Sequence, residues 1–256
     1  MSGIGVPGNH VACPTKVRPE IRSTCLNCGL NLYTMRSSLL LLLILAVSII
    51  NAQDCSKFYY FQNNKLVEMT ISNRKGKETG KNVYNISNVQ QAGGTTSATI
   101  SSEFFNEKGK SINQATNVIK CNGGVLQMDM KMFISGEQQT TATGTSDAAF
   151  LEYPVGMKEG DVLNDGTFKM DMKQNGNMNS TMEITVTDRK VEAKESVTTP
   201  AGTWECFRIS YKSKITTKIA GIGIPIKASV TEWYAPGFGV VKTESNFGKT
   251  EITLVQ

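Results

Sequence analysis

The chain has 256 residues, 39% of them hydrophobic and 19% charged, with a formal net charge of +5. This composition can bury one sizeable core and excludes a chain that is disordered throughout. The single histidine, His10, and only six cysteines exclude most imidazole chemistry and any disulfide-dense miniature scaffold.

Residues 1–34 precede a second methionine, Met35, which opens a segment that reads as a secretory signal. Arg36 supplies the basic start, Leu39 to Ile50 the apolar stretch, and Asn51-Ala52-Gln53 the small-residue cleavage region. The apolar stretch is well short of the ~20 residues a spanning helix needs. We therefore expect a disordered, over-extended start at 1–34, a signal peptide at 35–52 and one β-rich domain at 53–256. Asp54 just before Cys55 argues against lipid attachment, so export as a soluble periplasmic or extracellular protein is expected. His10-x-x-Cys13 followed by Cys25-x-x-Cys28 resembles a zinc-ligand set but falls in the discarded start, so no metal and no cofactor are expected.

Without the four Lys/Arg and one Glu of residues 1–52, the net charge falls to +2. No basic stripe remains for nucleic acid. The remainder also contains no histidine, which removes Ser-His-Asp and Cys-His catalysis and imidazole metal sites.

Alternation with period two, the strand pattern, dominates the rest. Lys65 to Ser72, Val83 to Val89 and Thr96 to Phe105 are strand candidates. Leu126-Gln-Met128-Asp129-Met130-Lys-Met132 puts its apolar residues on one face, as do Phe168-Lys-Met170-Asp171-Met172-Lys173 and Met182-Glu183-Ile-Thr-Val-Thr187. Val191 to Val197, Trp204 to Lys214, Lys227 to Tyr234, Gly239 to Ser245 and Thr250 to Val255 follow. One short helical turn is expected near Asp147 to Glu152. The turns Asn73-Arg-Lys-Gly76-Lys77 and Asn106-Glu-Lys-Gly109-Lys110 share a form: Asn bonds its own backbone and Gly takes the left-handed position of a bulged hairpin. Asn246-Phe-Gly248-Lys249 is a shorter relative. Gly221-Ile-Gly223-Ile-Pro225 reads as a bulge or flexible loop rather than a phosphate loop, since no helix follows. The expected fold is all-β, an antiparallel meander forming a half-barrel or strongly curved sheet with at most short helices.

Three cysteines follow the leader. Cys55 and Cys121 sit at loop edges and are the expected disulfide, with Cys206 a free core thiol, although pairing through Cys206 stays open at this level. The methionines could be cast as a Cu(I) thioether site, but they stand where an alternating strand places its core. Flexible thioethers also suit a cavity that accepts varied apolar ligands. Asp129, Asp171 and Glu183 alternate with Lys or Thr and read as solvated strand faces rather than a glycosidase pair.

Thr198-Thr-Pro-Ala-Gly-Thr-Trp204-Glu-Cys206-Phe-Arg-Ile-Ser-Tyr211, then Thr231-Glu-Trp-Tyr-Ala-Pro-Gly-Phe-Gly-Val-Val-Lys-Thr-Glu244, form the most specific pattern. With Asp54-Cys55-Ser56, Val118-Ile-Lys-Cys121 and Thr187-Asp-Arg-Lys-Val191, they resemble the exported TapB-like family of Bacteroidetes-type bacteria, whose function is unknown. The resemblance implies a curved antiparallel half-barrel similar to the LolA/LolB lipoprotein carriers. The resulting expectation is a non-enzymatic envelope protein that holds a hydrophobic small molecule or lipid in its concave face. Its expected lining is Met128, Met130, Met132, Met170, Met172, Met182 and Trp204. A structural or adaptor protein binding an envelope protein partner is the alternative.

Overall fold

The computed structural model describes residues 55–133, 149–174, 178–219 and 222–256, all within a unit that runs from Asn51 to Gln256. The signal-like segment and the set from His10 to Cys28 lie outside these residues.

Two 3-10 turns, Cys55–Lys57 and Tyr59–Phe61, lead into β1 (Lys65–Asn73), β2 (Glu78–Ala92), β3 (Thr95–Asn106), β4 (Ser111–Asn122) and β5 (Val125–Asp129). A third 3-10 turn, Met130–Phe133, follows. Then come β6 (Phe150–Pro154), β7 (Gly166–Gln174), β8 (Met178–Thr199), β9 (Gly202–Ile219), β10 (Ile222–Ala235), β11 (Gly239–Ser245) and β12 (Gly248–Val255). Each strand pairs antiparallel with the next in sequence except β6 with β7, and β1 pairs with β12. The sheet is thus an all-β meander curled into a nearly closed barrel, and its one seam lies between β6 and β7.

The turns form as their residues dictate. Asn73 Oδ1 accepts from the Lys75 and Lys77 amides, and Asn106 Oδ1 from those of Lys108 and Lys110. Gly76 and Gly109 follow at φ of 76° and 71°, where a side chain would be strained.

Three local expectations are corrected. Phe150 to Pro154 is a strand rather than a helical turn, because Leu151 and Tyr153 alternate inward against β5. The Leu126–Met132 run is not strand throughout: after Asp129 it tightens into a 3-10 turn, with Asp129 Oδ1 accepting from the Lys131 amide. Asp129 is therefore buried, not on a solvated face. Ile222 to Pro225 is the start of β10, paired in register with β9. It lies beyond the end of β11, a free-edge stretch where proline is tolerated.

The seam is closed by polar groups. In β8 the buried positions Met182, Ile184 and Val186 shift phase at Asp188, whose φ is 58°, and resume at Arg189 and Val191. The bulge turns Arg189 inward. Its Nη1 donates to the carbonyls of Glu152 on β6, at 3.1 Å, and Asn164, at 2.9 Å. Beside it, the connection between β6 and β7 joins the β8 backbone through Gly160 to Val191, Val191 to Asp161 and Leu163 to Arg189. Arg189 Nη2 stands 3.8 Å from Glu232 on β10, and both side chains are fully buried. The Arg189 guanidinium lies over the Tyr153 ring, which stacks on Tyr234 at 4.8 Å. Where β7 begins, Gly166 leaves room for Leu151 and Met130, since a Cβ there would come within 2.6 Å of the Leu151 methyl.

The Glu232 oxygens lie outside good hydrogen-bond geometry, although Tyr153 and Tyr211 face them. Burial raises the Glu232 pKa above 4.5, against the lowering pull of Arg189. Arg189→Met leaves a buried carboxylate alone and should lower unfolding free energy by about 3–5 kcal/mol, whereas Arg189→Met with Glu232→Leu should cost far less. Urea denaturation of both variants checks this. The folded protein holds the Glu232 proton more tightly than the unfolded chain. The stability this group contributes is therefore complete below pH 4.5 and is lost as pH rises through its folded pKa. Stability measured against pH should lose that decline in Glu232→Gln.

Candidate functional site

The ends of the barrel differ. At one end the 3-10 turns form a floor: the Tyr59 amide donates to the Gly237 carbonyl in the turn between β10 and β11, at 2.9 Å. Phe238 meets Tyr59, Tyr60 and Trp204 at ring distances of 5.0, 5.5 and 4.6 Å. Gly239, at φ 136°, lets the Tyr60 ring approach; a Cβ there would stand 3.1 Å from it. The Cys55–Cys121 disulfide ties this floor to β4. At the other end the turns β1–β2, β3–β4 and β11–β12 gather, linked by the Lys77–Glu107 ion pair at 2.7 Å and by Arg74 donating to the Asn246 carbonyl.

Between floor and turns, a cavity of about 220 Å³ opens on the concave face. Tyr60 meets it from the floor, with Met69 and Ile71 from β1, Asn82 and Tyr84 from β2, and Phe104 from β3. Met128, Met132, Val240, Thr243 and Thr250 complete the lining. The side chains alternate inward along their strands, so most of the wall is apolar. Thr243 and Thr250 add hydroxyls and Asn82 an amide; Asn82 is buried, and its Oδ1 has no hydrogen-bond partner among the described residues. An orphan buried acceptor costs about 1–3 kcal/mol. Burial pushes the Tyr84 phenol up to about 12, against the lowering effect of the Asn82 amide group on the phenol oxygen, so it stays neutral.

Of the residues expected to line a ligand site, Met128 and Met132 line this cavity. The structure places Met130, Met170 and Met182 in the packed interior instead. Met130 lies against the Gly166 position, and Met170 is the register partner of Met182. Trp204 is partly buried in the floor and donates to Thr199 Oγ1 at 3.2 Å. The Met172 side chain lies outside the described residues. Sequence reasoning missed Tyr60, Asn82, Tyr84 and Phe104. Tyr84 and Asn82 alternate with lysine and valine in Lys81-Asn-Val-Tyr84, and the inward asparagine masks the apolar face.

The carboxylates weighed for catalysis do not converge. Asp129 pairs with Lys131 at 3.3 Å, Asp171 accepts from Thr181 at 2.8 Å, and Glu183 lies 3.8 Å from Lys169. Cys206 is free and buried, and burial, with Glu205 and Glu195 adding, pushes its thiol up to about 12. At neutral pH it is a thiol, not a nucleophile.

The disulfide closes a loop of 66 residues in sequence. Replacing both partners, Cys55→Ala with Cys121→Ala, should lower stability by about 2–4 kcal/mol. Hydrogen exchange should report the greatest loss of protection in the floor, at Phe58 to Phe61.

The same architecture occurs in solved structures. A candidate exported protein with a YmcC-like fold from Bacteroides fragilis is 24% identical and superposes with a TM-score of 0.64, covering 78% of this chain and 98% of that one. A candidate lipoprotein from Parabacteroides distasonis is 21% identical, with a TM-score of 0.66, and covers 80% of this chain and 100% of its own. No curated protein matches the sequence at a significant level. Residues 62–253, from just before β1 into β12, match the DUF3108-like family model, and the chain belongs to the DUF3108-like family.

Proposed function

We propose that this protein is a non-enzymatic, exported envelope protein that holds an apolar ligand bearing one hydrogen-bond donor in the cavity above Tyr60. The observation that carries this reading is Asn82 Oδ1, a buried acceptor in a mostly apolar wall that has no hydrogen-bond partner among the described residues. A donor on the ligand would satisfy it. The ligand's body would replace water against Met69, Phe104, Met128 and Met132.

The volume limits what fits. An apolar cavity of about 150 Å³ accepts one benzene ring, so 220 Å³ takes a single alkyl segment or one ring system, not a whole diacyl lipid. The rest of a larger ligand would leave through the turn-bearing end. Support for export comes from the solved relatives, described as exported or as a lipoprotein, and from a disulfide, which persists in oxidising compartments. The likeness to LolA/LolB carriers read in the sequence belongs to this proposal. So do cleavage of the signal at 35–52 and a soluble mature form.

Displacement of the fluorescent probe N-phenylnaphthylamine by dodecanol and by dodecane tests it. Dodecanol should bind several-fold more tightly than dodecane, by the ~1 kcal/mol of one hydrogen bond. Asn82→Leu should erase that preference, and Met132→Trp should block both ligands while leaving the fold intact. Probe binding that Met132→Trp leaves unchanged would overturn the reading.

A further inference from the structure

The long β9–β10 hairpin continues past the end of β11, which pairs with β10 only from Val230 onward. The cross-strand register shows what this extension presents. On its inner face, Phe168, Ile184, Ile215 and Ile226 form one row across β7 to β10, and Met170, Met182, Thr217 and Ile224 form the next. Both rows begin buried on β7 and β8 and emerge on β10. There Ile226 is 46%, Ile224 68% and Ile222 74% exposed. This is the apolar face of the barrel wall carried out beyond the wall.

The opposite face is basic. Lys214 on β9 and Lys227 on β10 stand directly opposite each other, with Thr185 on the far side of Lys214. Like charges in register repel. Lys214, Lys218 and Lys227 are exposed and have no carboxylate partner among the described residues. The acids on this face are already engaged: Asp188 with Lys212 at 2.8 Å, Glu183 with Lys169 at 3.8 Å, and Asp171 with Thr181. No Asp or Glu occurs between Glu205 and Glu232 in the sequence. A shallow depression gathers Lys212, Lys214 and Lys227 with Thr185, Ser229 and Asn246.

We infer that this hairpin docks the protein on an anionic phospholipid surface. Its isoleucines enter the boundary between headgroups and acyl chains, and Lys214, Lys218 and Lys227 reach the phosphates. An apolar face backed by lysines is the arrangement by which amphipathic segments lie in a membrane interface. The uncompensated lysine pair is what an anion would relieve, and each lysine near an anionic surface adds attraction. Strand addition by a protein partner is disfavoured, because the free-edge stretch contains Pro225. This docking does not depend on the cavity's being a ligand site.

Vesicle flotation tests it, using protein purified from its cells in native form. The protein should float with vesicles of mixed phosphatidylglycerol and phosphatidylcholine, stay behind with pure phosphatidylcholine, and be released by high salt. Ile222→Ser with Ile224→Ser, and separately Lys214→Glu with Lys227→Glu, should each weaken binding about tenfold or more. Melting curves should not move, since both pairs lie outside the packed core. Met132→Trp, which fills the cavity, should bind vesicles as the parent does, so the two readings fail separately. The inference is overturned by absence of flotation, or by flotation that both hairpin variants leave intact. It is overturned equally by competition from inorganic phosphate with no dependence on the isoleucines, which marks a plain anion site. Self-association abolished by the isoleucine changes, without vesicle binding, would instead make this face a contact between copies.

Discussion

The architecture depends on a buried arginine. A meander of twelve strands has two ends, and unless they meet, the concave face is an open trough whose edges invite pairing. Here Arg189 bonds the carbonyls of Glu152 and Asn164 and faces Glu232, joining β6 and the β6–β7 connection to β8 and β10. Burying an ion pair is a poor source of stability in itself, because desolvation offsets the attraction. What it supplies here is closure: the guanidinium satisfies carbonyls at a seam where no strand ladder can. The phase shift at Asp188 is its precondition, since unbroken alternation would aim residue 189 at solvent.

Closure at the seam and the floor at one end together define the interior. The floor is built from Tyr59, Tyr60, Trp204 and Phe238 and tethered through Cys55 to β4, so one end is filled by aromatic packing. The other end carries only turns. The cavity between them is lined mostly by apolar side chains, with the Asn82 amide buried among them. In the proposed account the same barrel wall does two jobs. Around Tyr60 it encloses a small apolar space, and along β9 and β10 it extends outward as an amphipathic hairpin. Delivery or capture of an apolar molecule at a membrane surface would need both.

Much of this was legible in the residues. Period-two runs such as Phe168–Lys173 and Thr250–Val255 gave strands, and the Asn-x-x-Gly-Lys turns gave hairpins in which the asparagine side chain accepts from the turn amides. Where reading failed, polar residues stood on the inner face. In β4, Asn113 and Asn117 are buried, and Asn117 donates to Ser102 at 3.0 Å, so a real strand carried no apolar alternation at its start. Asn82 hid part of the cavity in the same way. Arg189 and Glu232 lay inside two of the five stretches that carried the family resemblance, Thr187–Val191 and Thr231–Glu244, yet neither reads as a core residue. An arginine is placed inside a barrel by a bulge, and a bulge at Asp188 has no period to detect. The methionines misled differently: identical spacing put Met128 and Met132 at the cavity and Met130 against Gly166, because the chain turns into a 3-10 helix between them.

In the proposed function, the space above Tyr60 receives an apolar molecule anchored at Asn82. The most direct measurement is a crystal structure of the native protein soaked with a bromine-tipped long-chain alcohol. Anomalous bromine density is expected among the apolar side chains that line the cavity, with the hydroxyl donating to Asn82 Oδ1. Bromine density elsewhere on the molecule, with side chains collapsed into the space between Met128 and Tyr84, would contradict it.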